Sequence, residues 1–157
     1  MAGLSNHYLN ELSRYCLTNF KKVIPCDYIQ RYKLKTNDQF IINLSDSSTN
    51  GSHFVALSIK EKHCIYFDSF GFECKNSYIT KKLKKCKKQI IYSKTQVQGI
   101  TSLFCGFYCL AYLISDEKGT LLNDFLNNFE YNNLEQNDKI CMDYIISHLT
   151  LNNRNIE

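Results

Sequence analysis

The sequence predicts an α/β (α+β) domain, a central mixed sheet flanked by helices with a candidate nucleophile at a helix N-terminus. Three observations predict it. Short β-branched and apolar runs alternate with segments of helical period. A continuous apolar run, Gly106-Phe-Tyr-Cys-Leu-Ala-Tyr-Leu113, reads as the start of a buried helix, and Cys105 stands immediately before it. The 157 residues suffice for one proper core and are too few for two, so 1–157 reads as a single domain.

Taken in order, Leu4 to Thr18 reads as an opening helix with Leu4, Tyr8, Leu12 and Tyr15 roughly on one face. Lys21 to Lys35 is mixed, and Pro25 breaks any long helix there. Gln39 to Leu44 is a strand. The polar loop Ser45-Asp-Ser-Ser-Thr-Asn-Gly51 leads into a second strand, His53 to Ile59, and His63 to Asp68 is a third. Lys60-Glu-Lys62 is short enough for a hairpin between those two. Ser77 to Lys88 is a basic helix and Gln89 to Tyr92 a fourth strand. The Cys105 helix follows, then covering helices at Leu121 to Phe129 and Lys139 to Leu149, and a frayed end from Asn152 to Glu157. No repeat or linker interrupts the chain.

Composition narrows the function classes. One proline and six glycines argue against a disordered or fibrous chain. No apolar stretch is long enough to span a membrane. The start, Met1-Ala-Gly-Leu-Ser-Asn-His, lacks the basic and apolar regions of a signal peptide. The expectation is a protein that works inside a cell or is packaged in a particle, with no membrane partner. The eight cysteines are irregularly spaced, without a CxxC pair, and read as reduced; Cys64, Cys109 and Cys141 lie in apolar contexts suited to a core. Neither His nor Cys falls in paired zinc-ligand spacing, so no metal is expected. The abundant Asn and Lys are consistent with an A/T-rich genome.

The chemistry gathers around Cys105. A thiol at a helix N-terminus meets unpaired backbone N–H groups and the positive end of the helix dipole, which favour the thiolate. A thiolate needs a base, and His53 opens a strand whose hairpin partner ends at Asp68. An antiparallel pairing with a tight turn puts both residues at the end away from the turn, so the imidazole and the carboxylate meet at one edge of the sheet. A glutamine upstream of the cysteine can aim its amide N–H at a developing oxyanion. Gln98 and Gln96 share a strand face, and periodicity does not separate them. Cys109 is a rival thiol one turn further into the helix, expected in the core. His63 sits at the hairpin turn, away from Asp68. His7 and His148 fall on amphipathic helices, as surface or satisfied histidines.

The order His53, Asp68, Gln98, Cys105, with Gln98 seven positions before a Cys-Gly pair, resembles the adenovirus-type maturation cysteine protease, a relative of the SUMO proteases. Three local matches carry the resemblance: Gly51-Ser-His53-Phe, Tyr66-Phe-Asp-Ser-Phe-Gly-Phe72, and Val97-Gln-Gly99 through Cys105-Gly-Phe-Tyr-Cys109. They span Phe40 to Leu113, close to half of the chain. The spacing match favours Gln98 over Gln96. The resemblance implies Cys105 as nucleophile, His53 as general base and then acid, Asp68 as its orienter, and Gln98 with the Cys105 N–H as oxyanion hole. The sequence itself requires no cofactor. The resemblance also implies a viral endopeptidase, from a DNA virus, a virophage or a Maverick/Polinton element. Such an enzyme cleaves capsid or other virion precursors at Gly-containing sites, within the infected cell and the virion. Two departures stand out. Asp68 occupies the place of a longer Glu in the adenovirus enzymes, whereas Asp is common in the SUMO-protease branch. Phe54 follows the histidine where many relatives carry Trp. A protease for ubiquitin-like modifiers shares the fold and is the alternative enzyme.

The run Lys81-Lys-Leu-Lys-Lys-Cys-Lys-Lys88 is a second feature. Its plain reading is a solvated helix face with Leu83 and Cys86 turned inward. The other reading is a phosphate-binding surface of Lys84, Lys85, Lys87 and Lys88 that takes DNA or RNA without regard to sequence. Adenovirus-type proteases are stimulated by viral DNA and by a short peptide that forms a disulfide with the enzyme, and Cys86 falls one residue away from that cysteine's position. The net charge of +4 implies only moderate nucleic-acid affinity. A nucleic-acid or capsid-binding protein without catalysis is the alternative from another class. The chain is expected to be a monomer.

Overall fold

The computed structural model describes residues 4–48 and 53–154. Residues 1–3, 49–52 and 155–157 lie outside the described part, including the end of the Ser45–Gly51 loop, the first two residues of the Gly51-Ser-His53-Phe match and the last of the frayed end.

Helix α1 (Asn6–Cys16) begins where the Ser5 hydroxyl accepts the Tyr8 N–H at 3.2 Å, an N-cap. Its inward stripe is Leu9, Ser13 and Cys16. The expected face is therefore wrong at two positions: Tyr8 and Tyr15 are 55% and 64% exposed, so they point to solvent. Ser13 is polar yet fully buried, and a hydropathy pattern does not register it.

Strand β1 (Phe20–Pro25) corrects the reading of Lys21–Lys35 as mixed, and raises the strand number to five. It is an edge strand with Lys21 and Lys22 exposed and only Val23 and Ile24 buried, and Pro25 ends it. An edge tolerates lysines and proline that a central strand would not. A 3-10 helix, Cys26–Arg31, turns the chain toward β2 (Gln39–Asn43). Next come β3 (Phe54–Ile59) and β4 (His63–Phe67), joined by the expected hairpin: Ile59 pairs with Cys64, and the Lys60 N–H donates to the His63 carbonyl at 2.8 Å. Helix α2 (Ser77–Lys85) carries the chain across to β5 (Gln89–Tyr92).

The strands lie in sequence order β1-β2-β3-β4-β5, with parallel outer pairs and antiparallel inner pairs. Both faces are covered, which is why β2 and β3 are buried along their whole length. On one face Ile41, Phe54, Ala56, Ile65 and Phe67 meet α1, α3 (Cys105–Glu117), α4 (Leu122–Leu126) and α5 (Asn137–Arg154). On the other, Phe40, Ile42, Val55, Leu57 and Tyr66 meet α2 and the first 3-10 helix through Ile79, Leu83 and Ile29. Helix α4 is shorter than expected and α5 longer at both ends.

Helix α3 passes over the sheet with ten of its thirteen residues buried, Gly106 and Asp116 among them. A Cβ on Gly106 would stand 2.8 Å from a methyl carbon of Leu9, so the glycine after the cysteine lets α1 close against the start of α3. At the far end Asp116 enters the core and is satisfied there by the Lys60 ammonium at 2.7 Å, the Ser58 hydroxyl at 2.6 Å and the Gln39 amide at 3.1 Å. Removing one partner of such a pair strands the other. Asp116→Ala is expected to cost about 2 kcal/mol, below the figure for a fully buried pair because Lys60 keeps some exposure to water. Lys60→Met should cost at least as much, because it leaves the buried carboxylate without its counter-charge, and urea unfolding measures both.

Candidate active site

The β3–β4 hairpin sets the first two residues of the site. His53 immediately precedes β3 and Asp68 immediately follows β4, so antiparallel pairing puts both at the end of the sheet opposite the turn. The His53 carbonyl accepts the Leu44 N–H at 2.9 Å, which extends the pairing with β2 and fixes the base of the imidazole. Asp68 is held through its backbone by Ser93, just beyond β5. The Asp68 N–H donates to the Ser93 hydroxyl at 3.2 Å, and that hydroxyl donates to the Asp68 carbonyl at 2.9 Å.

His53 Nε2 and Asp68 Oδ1 are 2.8 Å apart. The same carboxylate oxygen accepts the Phe70 N–H at 2.8 Å, and the Phe70 ring packs on the imidazole with centroids 4.9 Å apart. The Asp68 side chain is only 3% exposed, so water does not compete for it. Because Nε2 faces Asp68, Nδ1 is the ring nitrogen left free for Cys105, which lines the same cleft. Burial of the ring opposes its charged form. The hydrogen bond to Asp68 and the interaction with Cys105, with the charges of those two groups, outweigh burial and raise the His53 pKa from 6.5 to about 9. The imidazole is therefore poised to hold a proton beside the sulfur at neutral pH.

Cys105 is the first residue of α3, partly exposed at the cleft. The first turn of α3 contains no acidic residue, and its leading backbone N–H groups have no partner within the helix. Elsewhere burial pushes thiols upward: Cys16 and Cys64 to about 11, and Cys109 and Cys141 well above the ordinary range. Cys109, the rival nucleophile, is fully buried. All eight cysteines are free.

Gln98 lies in the segment between β5 and α3, 1% exposed. Its Oε1 accepts the Ser69 hydroxyl at 2.5 Å, and its Nε2 donates to the Ser102 carbonyl at 2.9 Å. The Ser102 carbonyl can only accept, so that bond fixes which end of the amide is nitrogen. Gln96, which periodicity left level with Gln98, is exposed and donates to the Gln98 carbonyl at 3.0 Å. His63 stands at the hairpin turn, His7 is exposed, and His148 meets the Cys16 carbonyl at 3.1 Å.

A cleft of about 660 Å³ is lined by His53, Gln98 and Cys105, with Asn43, Phe70, Ile100 and Leu103 around them. One wall is the turn Asp68-Ser-Phe-Gly71, closed by the Gly71 N–H to the Asp68 carbonyl at 2.8 Å. Gly71 has φ +77°, and a Cβ there would lie 2.7 Å from the Thr95 carbonyl carbon, so only glycine fits. Sequence reasoning missed Ser69, Ser93, Ser102 and Asp138. Of these only Ser69 had a signal, its place beside Asp68 in the matched motif.

The lysine run divides. Leu83 is buried and Cys86 half-buried at the end of α2, while Lys84, Lys85 and Lys87 are exposed. Lys88 differs from the expected phosphate-binding face: its ammonium donates to the Lys60 and Glu61 carbonyls and ties β5 to the hairpin turn. Among the described residues no cluster of metal-ligating side chains occurs, and no helix is long and apolar enough to cross a membrane.

No protein-family model and no curated protein matches the sequence. Solved structures do. The ASFV pS273R protease superposes with a TM-score of 0.59 at 14% identity, covering 92% of this chain and 67% of that one. The SUMO protease Ulp1, in a form whose catalytic cysteine is oxidised to a sulfinic acid, superposes with a TM-score of 0.53 at 18% identity, covering 96% and 78%. The fold is that of the SUMO-protease-like cysteine proteases.

The raised His53 pKa gives a signed stability prediction. A group with a raised folded pKa stabilises fully below its unfolded value and loses that contribution as pH climbs through the folded one. The advantage of wild type over His53→Ala is expected to be greatest below pH 6.5 and to decline as pH rises toward about 9. Urea unfolding of both proteins across that range measures it.

Proposed function

We propose that this protein is a cysteine endopeptidase with Cys105 as nucleophile, His53 as general base and acid, Asp68 as orienter and Gln98 in the oxyanion hole. One observation carries the reading. Asp68 is hydrogen-bonded to His53, and His53 lines one cleft with Cys105, a thiol at a helix N-terminus, and with a buried glutamine amide.

The mechanism follows from the placement. The Cys105 thiolate attacks the scissile carbonyl carbon; a C–S bond forms and the π pair moves to oxygen. The Cys105 N–H and the Gln98 amide receive that oxyanion, each donor contributing on the order of 3 kcal/mol. Both contacts of Gln98 Nε2 go to Ser102, its carbonyl at 2.9 Å and its hydroxyl at 3.3 Å, so one amide proton shared between them leaves the second for the oxyanion. As the intermediate collapses the C–N bond breaks, and His53 gives its proton to the leaving amine. Water, deprotonated by His53, then attacks the acyl-enzyme and releases Cys105 as thiolate.

For the substrate we propose Gly-containing sites in capsid or other virion precursors, processed in an infected cell or the assembling particle. Glycine suits a cleft in which backbone must approach closely. The resemblance to the adenovirus-type enzymes and the likeness to a viral protease fold support this reading. A second enzymatic reading, a protease for ubiquitin-like modifiers, is favoured by Asp68 in place of Glu and by the superposition on Ulp1. Cleavage of a capsid precursor rather than a SUMO fusion separates the two.

Site-resolved alkylation by iodoacetamide at about pH 6 tests the catalytic pair, because ordinary thiols with a pKa near 8.5 are then protonated and slow. Cys105 alone should label fast in wild type, and His53→Ala should abolish the difference. Cys105 reacting no faster than the other seven thiols, with and without added DNA, would sink the protease reading.

Sequence-independent DNA binding by Lys84, Lys85 and Lys87, as an activating interaction, is a separate proposal resting on their exposure. Replacing the three by Ala should weaken binding and reduce the slope of log K against log salt by about 0.9 for each phosphate that is no longer neutralised. Lys88→Ala should instead loosen the hairpin turn.

A further inference from the structure

The oxyanion donors sit on two different elements. The Cys105 N–H belongs to α3, while Gln98 belongs to an irregular segment with no strand or helix of its own. Nothing in local secondary structure sets the distance between them, so it has to be set by hydrogen bonds from elsewhere.

Those bonds come from the first turn of α5. Asn137, fully buried, donates to the Val97 carbonyl and the Glu130 carbonyl, each at 2.8 Å, and accepts the Glu130 N–H at 2.8 Å. All the hydrogen-bonding groups of its amide are thus engaged, and the chain just before Gln98 is pinned. The Val97 and Gln98 N–H groups both donate to the Ser69 carbonyl, at 2.9 and 3.0 Å, from the opposite side. At the other end of the segment, Asp138 Oδ1 accepts the Ser102 hydroxyl at 2.8 Å. That bond takes the hydroxyl proton, so Ser102 Oγ turns its lone pairs to the Phe104 N–H at 3.2 Å and to Gln98 Nε2 at 3.3 Å. The same Asp138 oxygen accepts the Tyr108 hydroxyl at 2.8 Å, and Tyr108 lies one turn into the Cys105 helix. A single carboxylate oxygen therefore ties the Gln98 segment to α3.

We infer that Asp138, acting through Ser102, is a positioning residue that holds the Gln98 amide at the right separation from the Cys105 N–H; this rests on the protease reading. Asp138 touches no reacting atom. Its removal leaves the nucleophile and its base in place and displaces one of the two oxyanion donors.

Two probes separate those effects. Alkylation of Cys105 by iodoacetamide at about pH 6 needs the thiolate but generates no oxyanion. A peptide aldehyde ending in Gly-Gly adds the thiolate to its carbonyl carbon, and the resulting oxyanion occupies the hole. In Asp138→Ala the aldehyde should bind roughly tenfold to a hundredfold more weakly, while the alkylation rate stays within about a factor of two. Asp138→Asn keeps an acceptor oxygen at the same place and should recover most of the affinity. Because Asp138 acts through Gln98, the double variant Gln98→Ala/Asp138→Ala should bind the aldehyde no worse than Gln98→Ala alone. Thermal unfolding confirms that each variant is folded. Unchanged aldehyde affinity in Asp138→Ala, losses that add in the double variant, or equal loss of alkylation would each overturn the inference. A wild type that alkylates at Cys105 yet never binds the aldehyde would overturn the protease reading itself.

Discussion

A thirteen-residue helix with ten residues buried has no face it can show to water, and α3 must be enclosed on all sides. The sheet covers one side through Ile41, Ala56 and Phe67; α1, α4 and α5 cover the rest through Leu9, Phe125 and Ile145. That enclosure is also what makes the site. The part of α3 that reaches solvent near the hairpin's open end is its first turn, where Cys105 lies. The core thus delivers a thiol, unpaired N–H groups and the positive end of a helix dipole to one spot.

The polar groups follow the same logic at both ends of the helix. At the N-terminus a histidine hydrogen-bonded to a buried carboxylate faces the thiol, and the positive helix end favours negative sulfur. At the C-terminus Asp116 is buried at the end of the dipole that disfavours an anion, and Lys60, Ser58 and Gln39 surround it. Glu117 next to it accepts the Thr18 and Asn19 N–H groups at 2.7 and 2.6 Å and so anchors the turn between α1 and β1. The hairpin links the two ends: His53 and Asp68 stand at its open end, and Lys60 stands at its turn.

The segment between β5 and α3 shows how irregular backbone can still be definite. Without regular hydrogen bonding of its own, it is tied by Ser69 on one side and by Asn137 and Asp138 on the other. A glutamine amide has no intrinsic preference for which way it points, so its orientation is a property of these neighbours.

Much of this was legible in the sequence. The hairpin and the approach of His53 to Asp68 follow from two apolar runs separated by a short polar turn, because side-chain alternation and turn length leave little freedom. The buried helix behind Cys105 follows from an apolar run too complete to face water. Pattern did not reveal β1, since an edge strand can carry Lys21, Lys22 and Pro25. It misjudged the α1 face, because the inward stripe includes the polar Ser13 while the apolar rings of Tyr8 and Tyr15 face solvent. It left Gln96 and Gln98 level; the spacing match to the adenovirus-type proteases favoured Gln98, and burial separates the two in the structure. Lys88 reads with its lysine neighbours in sequence, but its ammonium lies on the hairpin carbonyls. The sequence alone determined which chemical groups are present and which strand ends and helix start they occupy, because those depend on neighbours in the chain. The tertiary structure alone decided the direction of the Gln98 amide and the reach of Asp138 across to the Cys105 helix, because both depend on hydrogen bonds between residues far apart in sequence.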